Sequence, residues 1–186
     1  MAAFDNLYNE RQSMTLTARI LAAALCACAA IPAFSQTPAA PARVPAEMAA
    51  FFGGEWSGKG AFASGRPIEA EVSFTPELDG QWLQYRHTDR APNSYKALGL
   101  WGIESGSRKL VMTINDNGGG ARTFASEGWQ DGKVVFVRTI SSEPLREERF
   151  VFERRSNDSF HMAYEVHAGD KPWRMIDQLT FERVRK

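Results

Sequence analysis

Residues 68–89 read IEAEVSFTPELDGQWLQYRHTD, and this stretch carries the pattern that decides the fold. From Ile68 to Phe74, apolar residues occupy every second position and polar residues lie between them, as in a β-strand with one buried and one wet face. Asp79-Gly80 is typical of a tight turn, and residues 81–89 form the next strand. The stretch therefore predicts two antiparallel strands joined by a short turn.

The same alternation continues on both sides of this hairpin, with Gly-, Asn- and Asp-rich turns between the apolar runs. The further strands are predicted at residues 55–62, 95–103, 109–115, 121–127, 133–140, 147–154, 160–167 and 173–184. No helical pattern separates them, so sequential antiparallel pairing is expected. The sequence predicts an all-β protein, a ten-stranded up-and-down barrel in which every strand edge is paired. A short helix is expected at residues 46–52, between Pro45 and Gly53-Gly54.

The composition excludes several classes of protein. The chain has 22 basic and 22 acidic residues, and 44% of its 186 residues are hydrophobic. A disordered chain would be poorer in apolar residues or richer in net charge. A general nucleic-acid binder would need a basic excess to meet the phosphates. A single globular domain at residues 46–186, with no nucleic-acid partner, is expected.

The first 35 residues resemble an export signal. Arg19 precedes an apolar run at residues 20–33, and Ala33-Phe34-Ser35 offers small residues for cleavage after Ser35. Residues 1–13 suit such a signal poorly, and Met14 is an alternative start. The apolar run is too short for a membrane span. A periplasmic or secreted protein is predicted, with residues 36–45 as a Pro- and Ala-rich leader.

Both cysteines, Cys26 and Cys28, lie within the predicted signal. The exported chain would therefore contain neither a disulfide nor a thiolate, and its stability would come from its core. Residues 25–28 also loosely resemble a lipoprotein cleavage box that would use Cys28. Because the apolar stretch before Cys28 is short, cleavage after Ser35 is the preferred interpretation.

Residues 54–60, GEWSGKG, form a GxWxGxG opening on the first predicted strand. With the ten-strand meander, this opening resembles lipocalin-like (calycin) barrels, and more closely a bacterial family of exported lipocalin-like domains of unknown function. The similarity covers roughly residues 46–186 and includes LDGQWL at 78–83, LGLWG at 98–102 and TFER at 180–183. It implies that Trp56 closes one barrel end under Arg183, whose guanidinium would stack on the indole and cap open strand carbonyls.

The opening is also similar, more distantly, to that of nitrobindins, which are ferric-haem barrels. In those proteins a histidine of the last strand, shortly before the terminal arginine, holds the iron. Matching the strand ends puts Ile176 at that position, and an isoleucine cannot ligate iron. The resemblance therefore implies no haem, and no cofactor is predicted.

Several polar side chains fall on otherwise apolar strand faces. His87 shares the parity of Leu83 and Tyr85, while Arg138 and Asp177 interrupt apolar alternation in later strands. Arg122 and Glu148 have similar placements. A charge inside an apolar lumen is costly unless it is paired, so inward charges should pair with each other or with a polar ligand group. The alternative is that these positions lie at the barrel rims and reach water.

These positions give the predicted ligand site. His87, Arg138 and Asp177 are predicted as polar anchors, and Tyr85, Trp101, Met112 and Phe136 as the wall. The expected ligand is a small apolar or amphipathic molecule. No metal site is predicted, because the three histidines lack the spacing of zinc ligands and His161 and His167 are expected at the surface.

Two other functions stay open at this stage. A His87–Asp177 pair within hydrogen-bond reach could move a proton, as in a lumen isomerase or cyclase. The many aromatic residues could instead fill the lumen, which would leave a structural or partner-binding barrel. A cavity and the geometry of His87 and Asp177 discriminate between these functions.

Overall fold

The computed structural model describes residues 41–185, which form one short helix and ten strands. The predicted signal peptide at 1–35 and the first five residues of the predicted leader lie outside the described residues. The elements are α1 (Ala46–Phe52), β1 (Gly54–Phe62), β2 (Pro67–Glu77), β3 (Trp82–Asp89), β4 (Lys96–Ile103), β5 (Leu110–Asp116), β6 (Ala121–Ser126), β7 (Lys133–Ser142), β8 (Leu145–Ser156), β9 (Ser159–Ala168) and β10 (Arg174–Arg183).

Each strand pairs antiparallel with the next, and β1 pairs with β10, so the sheet closes into a barrel. The predicted fold class is therefore confirmed, including the helix before the first strand. In β2, Ile68, Ala70, Val72 and Phe74 are buried, as their alternation with polar residues predicts. Closure pairs β1 with β10, the two strands that an open sheet would leave as edges.

Helix α1 fills one end of the barrel. Its residues Met48, Phe51 and Phe52 are buried. The Phe52 ring lies among side chains from three strands. Its centroid is 5.0 Å from that of Phe74 on β2, 5.2 Å from that of Trp101 on β4 and 5.3 Å from that of Phe160 on β9. Such tilted and edge-on aromatic contacts stabilise the core beyond simple apolar burial. This half of the lumen is packed with side chains.

Arg183 and Trp56 make the contact that the resemblance implied. The guanidinium lies 4.1 Å from the centroid of the indole. It donates hydrogen bonds to the carbonyl oxygens of Phe51 at 2.6 Å and Gly53 at 2.7 Å. These carbonyls belong to the end of α1 and not to open strands, which corrects the expected detail. Because a helix end leaves carbonyls without partners, Arg183 joins the last strand to α1.

The glycines of the opening motif permit close contact between β1 and β10. A Cβ on Gly58 would lie 2.4 Å from the Phe181 ring. A Cβ on Gly60 would lie 1.8 Å from the Gln178 carbonyl oxygen. The motif thus brings the first strand close enough to pair with the last.

The seam between β6 and β7 is thin. Only Ala125 and Val137 are in register across it, whereas the next seam, between β7 and β8, holds nine such pairs. Side chains that link the strands across this seam are described below.

Candidate functional site

The half of the barrel away from α1 contains a cavity of about 240 Å³. Six apolar side chains, from Phe62, Ile68, Ile114, Phe150, Met162 and Leu179, form much of its wall. The remaining lining residues are polar: Tyr85, His87, Asp89, Tyr95, Arg122, Tyr164 and Asp177. An apolar wall combined with converging polar groups is the usual form of a small-molecule site.

Three polar side chains of β3 form a hydrogen-bonded chain along the cavity wall. Tyr85, His87 and Asp89 are spaced by two residues, so they lie on the same face of the strand. The Tyr85 hydroxyl is 2.8 Å from His87 Nδ1, and His87 Nε2 is 2.7 Å from Asp89 Oδ1. The His87 and Asp89 side chains are each 6% exposed. The chain therefore runs inside the barrel.

The direction of these hydrogen bonds follows when the Asp89 carboxylate is ionised and the imidazole is neutral. An ionised carboxylate only accepts, so the Nε2–H of His87 donates to Asp89. In the neutral ring, Nδ1 then accepts from the Tyr85 hydroxyl. Burial raises the pKa of Tyr85 well above its usual value, with smaller contributions from Tyr95, Asp177 and Asp89. Tyr85 therefore keeps its proton and leaves its oxygen lone pairs as acceptors.

Asp177 reaches the cavity from β10. The pairing of β10 with β9 shifts between Met175 and Asp177, after which Asp177 lies opposite Tyr164 and Leu179 opposite Met162. Burial raises the pKa of Asp177 to about 6, His87 lowers it, and the Asp89 carboxylate raises it. Within residues 41–185 its carboxyl group forms no hydrogen bond or ion pair with another side chain. Asp177 thus presents a carboxyl group with open acceptor positions.

A second polar cluster, around Glu148, crosses the thin β6–β7 seam. Glu148 Oε1 accepts from Arg138 at 2.7 Å, and Oε2 accepts from the Tyr164 hydroxyl at 2.5 Å. Arg122 Nη1 lies 3.7 Å from Glu148 Oε2. The Glu148 side chain is 5% exposed. Because Arg122 is on β6 and Arg138 is on β7, the carboxylate of Glu148 links the two strands.

Arg122 also has partners outside this carboxylate. Its Nη2 donates to the Tyr95 hydroxyl and to Asp116 Oδ2, both at 3.2 Å. Its Nε is buried and has no hydrogen-bond partner among the described residues. The Arg122 guanidinium is therefore matched by two carboxylates before any ligand is considered. This agrees with the expectation that inward charges pair with one another.

Of the seven residues predicted for the ligand site, three line the cavity: Tyr85, His87 and Asp177. Trp101, Met112 and Phe136 point inward but lie in the packed half near α1, where each is 0% exposed. Arg138 pairs with Glu148 beside the seam, and its side chain is 33% exposed. The structure therefore does not bring these four residues to the cavity.

Sequence reasoning missed most of the wall and three polar groups, Asp89, Tyr95 and Tyr164. Asp89 lies two residues after His87, on the same face of β3, and could have been found from that spacing. It was missed because an aspartate at the last position of a strand is typical of a strand end. Tyr164 could have been found only from the pairing with Asp177. Arg122 and Glu148 were recognised as charges on apolar faces, without an assigned place in the site.

The geometry required for a His87–Asp177 proton pair is not present. Both residues contribute to the cavity wall. However, the two ring nitrogens of His87 already bind Tyr85 and Asp89, and no hydrogen bond joins His87 to Asp177 among the described residues. The alternative of a lumen enzyme using this pair therefore gains no geometric support.

Ile176, the position matched to a haem ligand, does not reach the cavity. It lies in a separate groove with Val166 and Trp173. The neighbours that do face the cavity from β10 are Asp177 and Leu179, and His87 has no free ring nitrogen. These residues do not fit a haem iron. Within the described part of the chain, no group of three His, Cys, Asp or Glu residues could hold a metal ion.

The comparisons concern the fold. No family model matches the chain, and no curated protein matches it. Rv2717c from M. tuberculosis is similar in structure, with a TM-score of 0.52 and 13% identity over 75% of this chain and 96% of that one. A fluorescence-activating β-barrel designed de novo gives a TM-score of 0.41 and 12% identity over 75% of this chain and 100% of the design.

A redesigned β-barrel, mFAP1, bound to DFHBI, gives a TM-score of 0.39 and 12% identity over 73% of this chain and 97% of that one. At such identities a likeness concerns architecture alone, and function has to be argued from the site. Among residues 41–185, no helix has the length and apolar character needed to cross a membrane. In its fold, the chain is similar to Rv2717c.

Proposed function

We propose that this protein is a small-molecule-binding barrel whose ligand occupies the cavity in the half away from α1. The observation that carries the proposal is the cavity itself, with six apolar side chains on its wall and polar groups gathered on β3 and β10. Apolar contacts would supply most of the affinity, and Tyr85, Asp89 and Asp177 would orient the ligand. His87 holds Tyr85 and Asp89 in position.

The size of the cavity supports a compact ligand. An engineered cavity of about 150 Å³ in another protein accommodates benzene. A cavity of about 240 Å³ has room for a ring with a short side chain, and it is smaller than the usual sites for drug-sized molecules. The ligand we expect is therefore a small apolar or amphipathic molecule, too short to extend through the packed half of the lumen.

The alternative of a filled structural barrel is disfavoured. The half next to α1 is packed around Phe52, as that alternative requires. The other half has space for several water molecules, each of which takes about 30 Å³ in the liquid. A partly open lumen of this kind supports ligand binding over a purely structural role.

We further propose that the protein is exported to the periplasm or beyond and belongs with the lipocalin-like domains. The export proposal rests on Arg19, the apolar run at 20–33 and the cleavage pattern before Gln36. The family proposal rests on the GxWxGxG opening and the contact between Trp56 and Arg183. Haem carriage is not part of the proposal, because His87, the imidazole on the cavity wall, already uses both of its ring nitrogens.

Native mass spectrometry tests the binding proposal. The protein would be purified gently from the cells that produce it and compared with Leu179→Trp, which places a bulky indole in the cavity. A retained small molecule is expected on the unchanged protein and not on the variant. Equal mass spectra, free of a retained molecule or carrying the same one, would contradict binding in this cavity.

A further inference from the structure

The polar groups on the β3 and β10 side of the cavity are mainly acceptors. Asp177 has open acceptor positions, and with a neutral imidazole at His87 the Tyr85 hydroxyl donates to Nδ1 and keeps its oxygen lone pairs for a ligand. Asp89 uses Oδ1 for His87, and no side chain among the described residues donates to its Oδ2. A ligand that pairs with this side of the cavity must therefore bring donors.

The basic groups near the cavity are already neutralised. Arg122 faces Asp116 and Glu148, and Arg138 faces Glu148. Counting Asp89 and Asp177 as well, four carboxylates stand against two guanidinium groups in this part of the described chain. On Arg122 an anionic ligand would find only Nε without a hydrogen-bond partner among the described residues, and it would share the cavity with the Asp177 carboxylate. The charge balance thus favours a cation over an anion.

The position of Asp177 adds selectivity. Asp177 lies opposite Phe62 of β1 and Tyr164 of β9, and it lines the cavity together with Tyr85 and Tyr95. Aromatic faces and an unpaired carboxylate together are suited to a positively charged nitrogen.

We propose that the ligand is a compact ring-containing amine, or another small molecule with a protonated nitrogen, whose N–H groups donate to Asp177. This inference rests on the proposed binding function and specifies its ligand class. The ring lies against the apolar wall formed by residues such as Ile114, Met162 and Leu179. The nitrogen points to the acceptor side of the cavity.

Three probes that differ only in their polar end test the inference: 2-phenylethylamine, 2-phenylethanol and phenylacetate. Isothermal titration at pH 7.5 should show the amine binding at least about tenfold more tightly than the other two, as expected for a charge-assisted hydrogen bond. In Asp177→Asn this preference should fall to within about twofold, while the alcohol still binds. Glu165→Gln, a carboxylate on the outer face of β9 that pairs with Arg149, should leave the preference unchanged.

The outcomes separate the two proposals. If the alcohol binds and the amine binds no more tightly, the proposed ligand class is wrong and the binding function stands. Tightest binding of phenylacetate would overturn the class in the same way. If none of the three probes binds to the folded protein, the proposed function fails together with the inference. Thermal unfolding of Asp177→Asn verifies that the variant is folded.

Discussion

Asp177 is the proposed anchor for the ligand, and its burial has a cost to stability. Its carboxyl group is inside the barrel, and burial raises its pKa to about 6 from an ordinary value of 3.8. The folded state therefore favours the protonated form. The stabilising contribution of that proton is complete below about pH 3.8 and is lost as the pH rises through about 6.

Asp177→Asn should consequently be more stable than the unchanged protein at pH 8. A shift of about two pKa units corresponds to roughly 3 kcal/mol, which is an upper estimate because water reaches the cavity. At pH 4 the difference should fall below about 1 kcal/mol, since Asp177 is then mostly protonated when folded. Urea denaturation at the two pH values measures it. A variant that is less stable at pH 8 would contradict the assigned environment of Asp177.

Interactions between elements depend on individual contacts that the alternating pattern does not show. Glu148 of β8 links β6 and β7 through Arg122 and Arg138, at the seam where only Ala125 and Val137 pair. Its second oxygen accepts from Tyr164 of β9. One buried carboxylate therefore contributes to the integrity of four neighbouring strands.

Glu148→Gln should destabilise the fold by roughly 3 kcal/mol, because it leaves two partly buried guanidinium groups without their shared carboxylate. The free energy of unfolding from urea titration provides the measurement. Glu153→Gln is the matched control: it lies on the same strand, is 35% exposed and pairs with Arg155. The control should change stability by less than about 1 kcal/mol. Equal effects would mean that Glu148 has no special role at the seam.

The close contact between β1 and β10 leads to a second prediction about interactions between strands. Gly60→Ala would force a methyl group into the Gln178 carbonyl, which lies 1.8 Å from the ideal Cβ position. The expected loss exceeds about 2 kcal/mol, because backbone atoms cannot move aside as a flexible side chain can. Thermal unfolding compares it with Gly106→Ala, whose added methyl meets nothing within 4 Å. A Gly60→Ala variant as stable as this control would disprove the steric role of the motif.

The elements themselves could be predicted from the sequence, but the level of each residue along the barrel axis could not. Alternation has a period of two, so it distinguishes inward from outward positions only. Trp101 and His87 both face inward, yet Trp101 packs against Phe52 of α1 and His87 faces the cavity. That difference depends on where α1 enters the lumen. The position of α1 is determined by contacts with strands distant in the sequence, such as the contact between Phe52 and Trp101.

For the charged residues, too, the sequence predicts only part of the arrangement. Burial energetics predict that inward charges find partners, and Arg138, Arg122 and Glu148 do so. Which of them would pair with one another depends on strand register and on the thin seam. Asp177 could be named from its position between Met175 and Leu179, but its lack of a side-chain partner requires coordinates.

At the scale of the whole molecule, the barrel is divided into a packed half and an open half. The packed half contains Trp56, Phe52 and Trp101, which are almost completely buried and supply much of the apolar stabilisation. The open half contains the cavity, the acceptors on β3 and β10, and the unpaired carboxyl group of Asp177. A well-packed half can offset the cost of polar groups kept inside the other.

The methionines test this division and the central claim together, because Met162 lines the cavity while Met48 and Met112 lie in the packed half. In ¹³C-methyl-methionine NMR spectra, saturating 2-phenylethanol should shift the Met162 signal along a binding isotherm and leave those of Met48 and Met112 in place. A Met162 signal that does not respond, or equal shifts at all three methionines, would contradict a ligand cavity confined to the open half of the barrel.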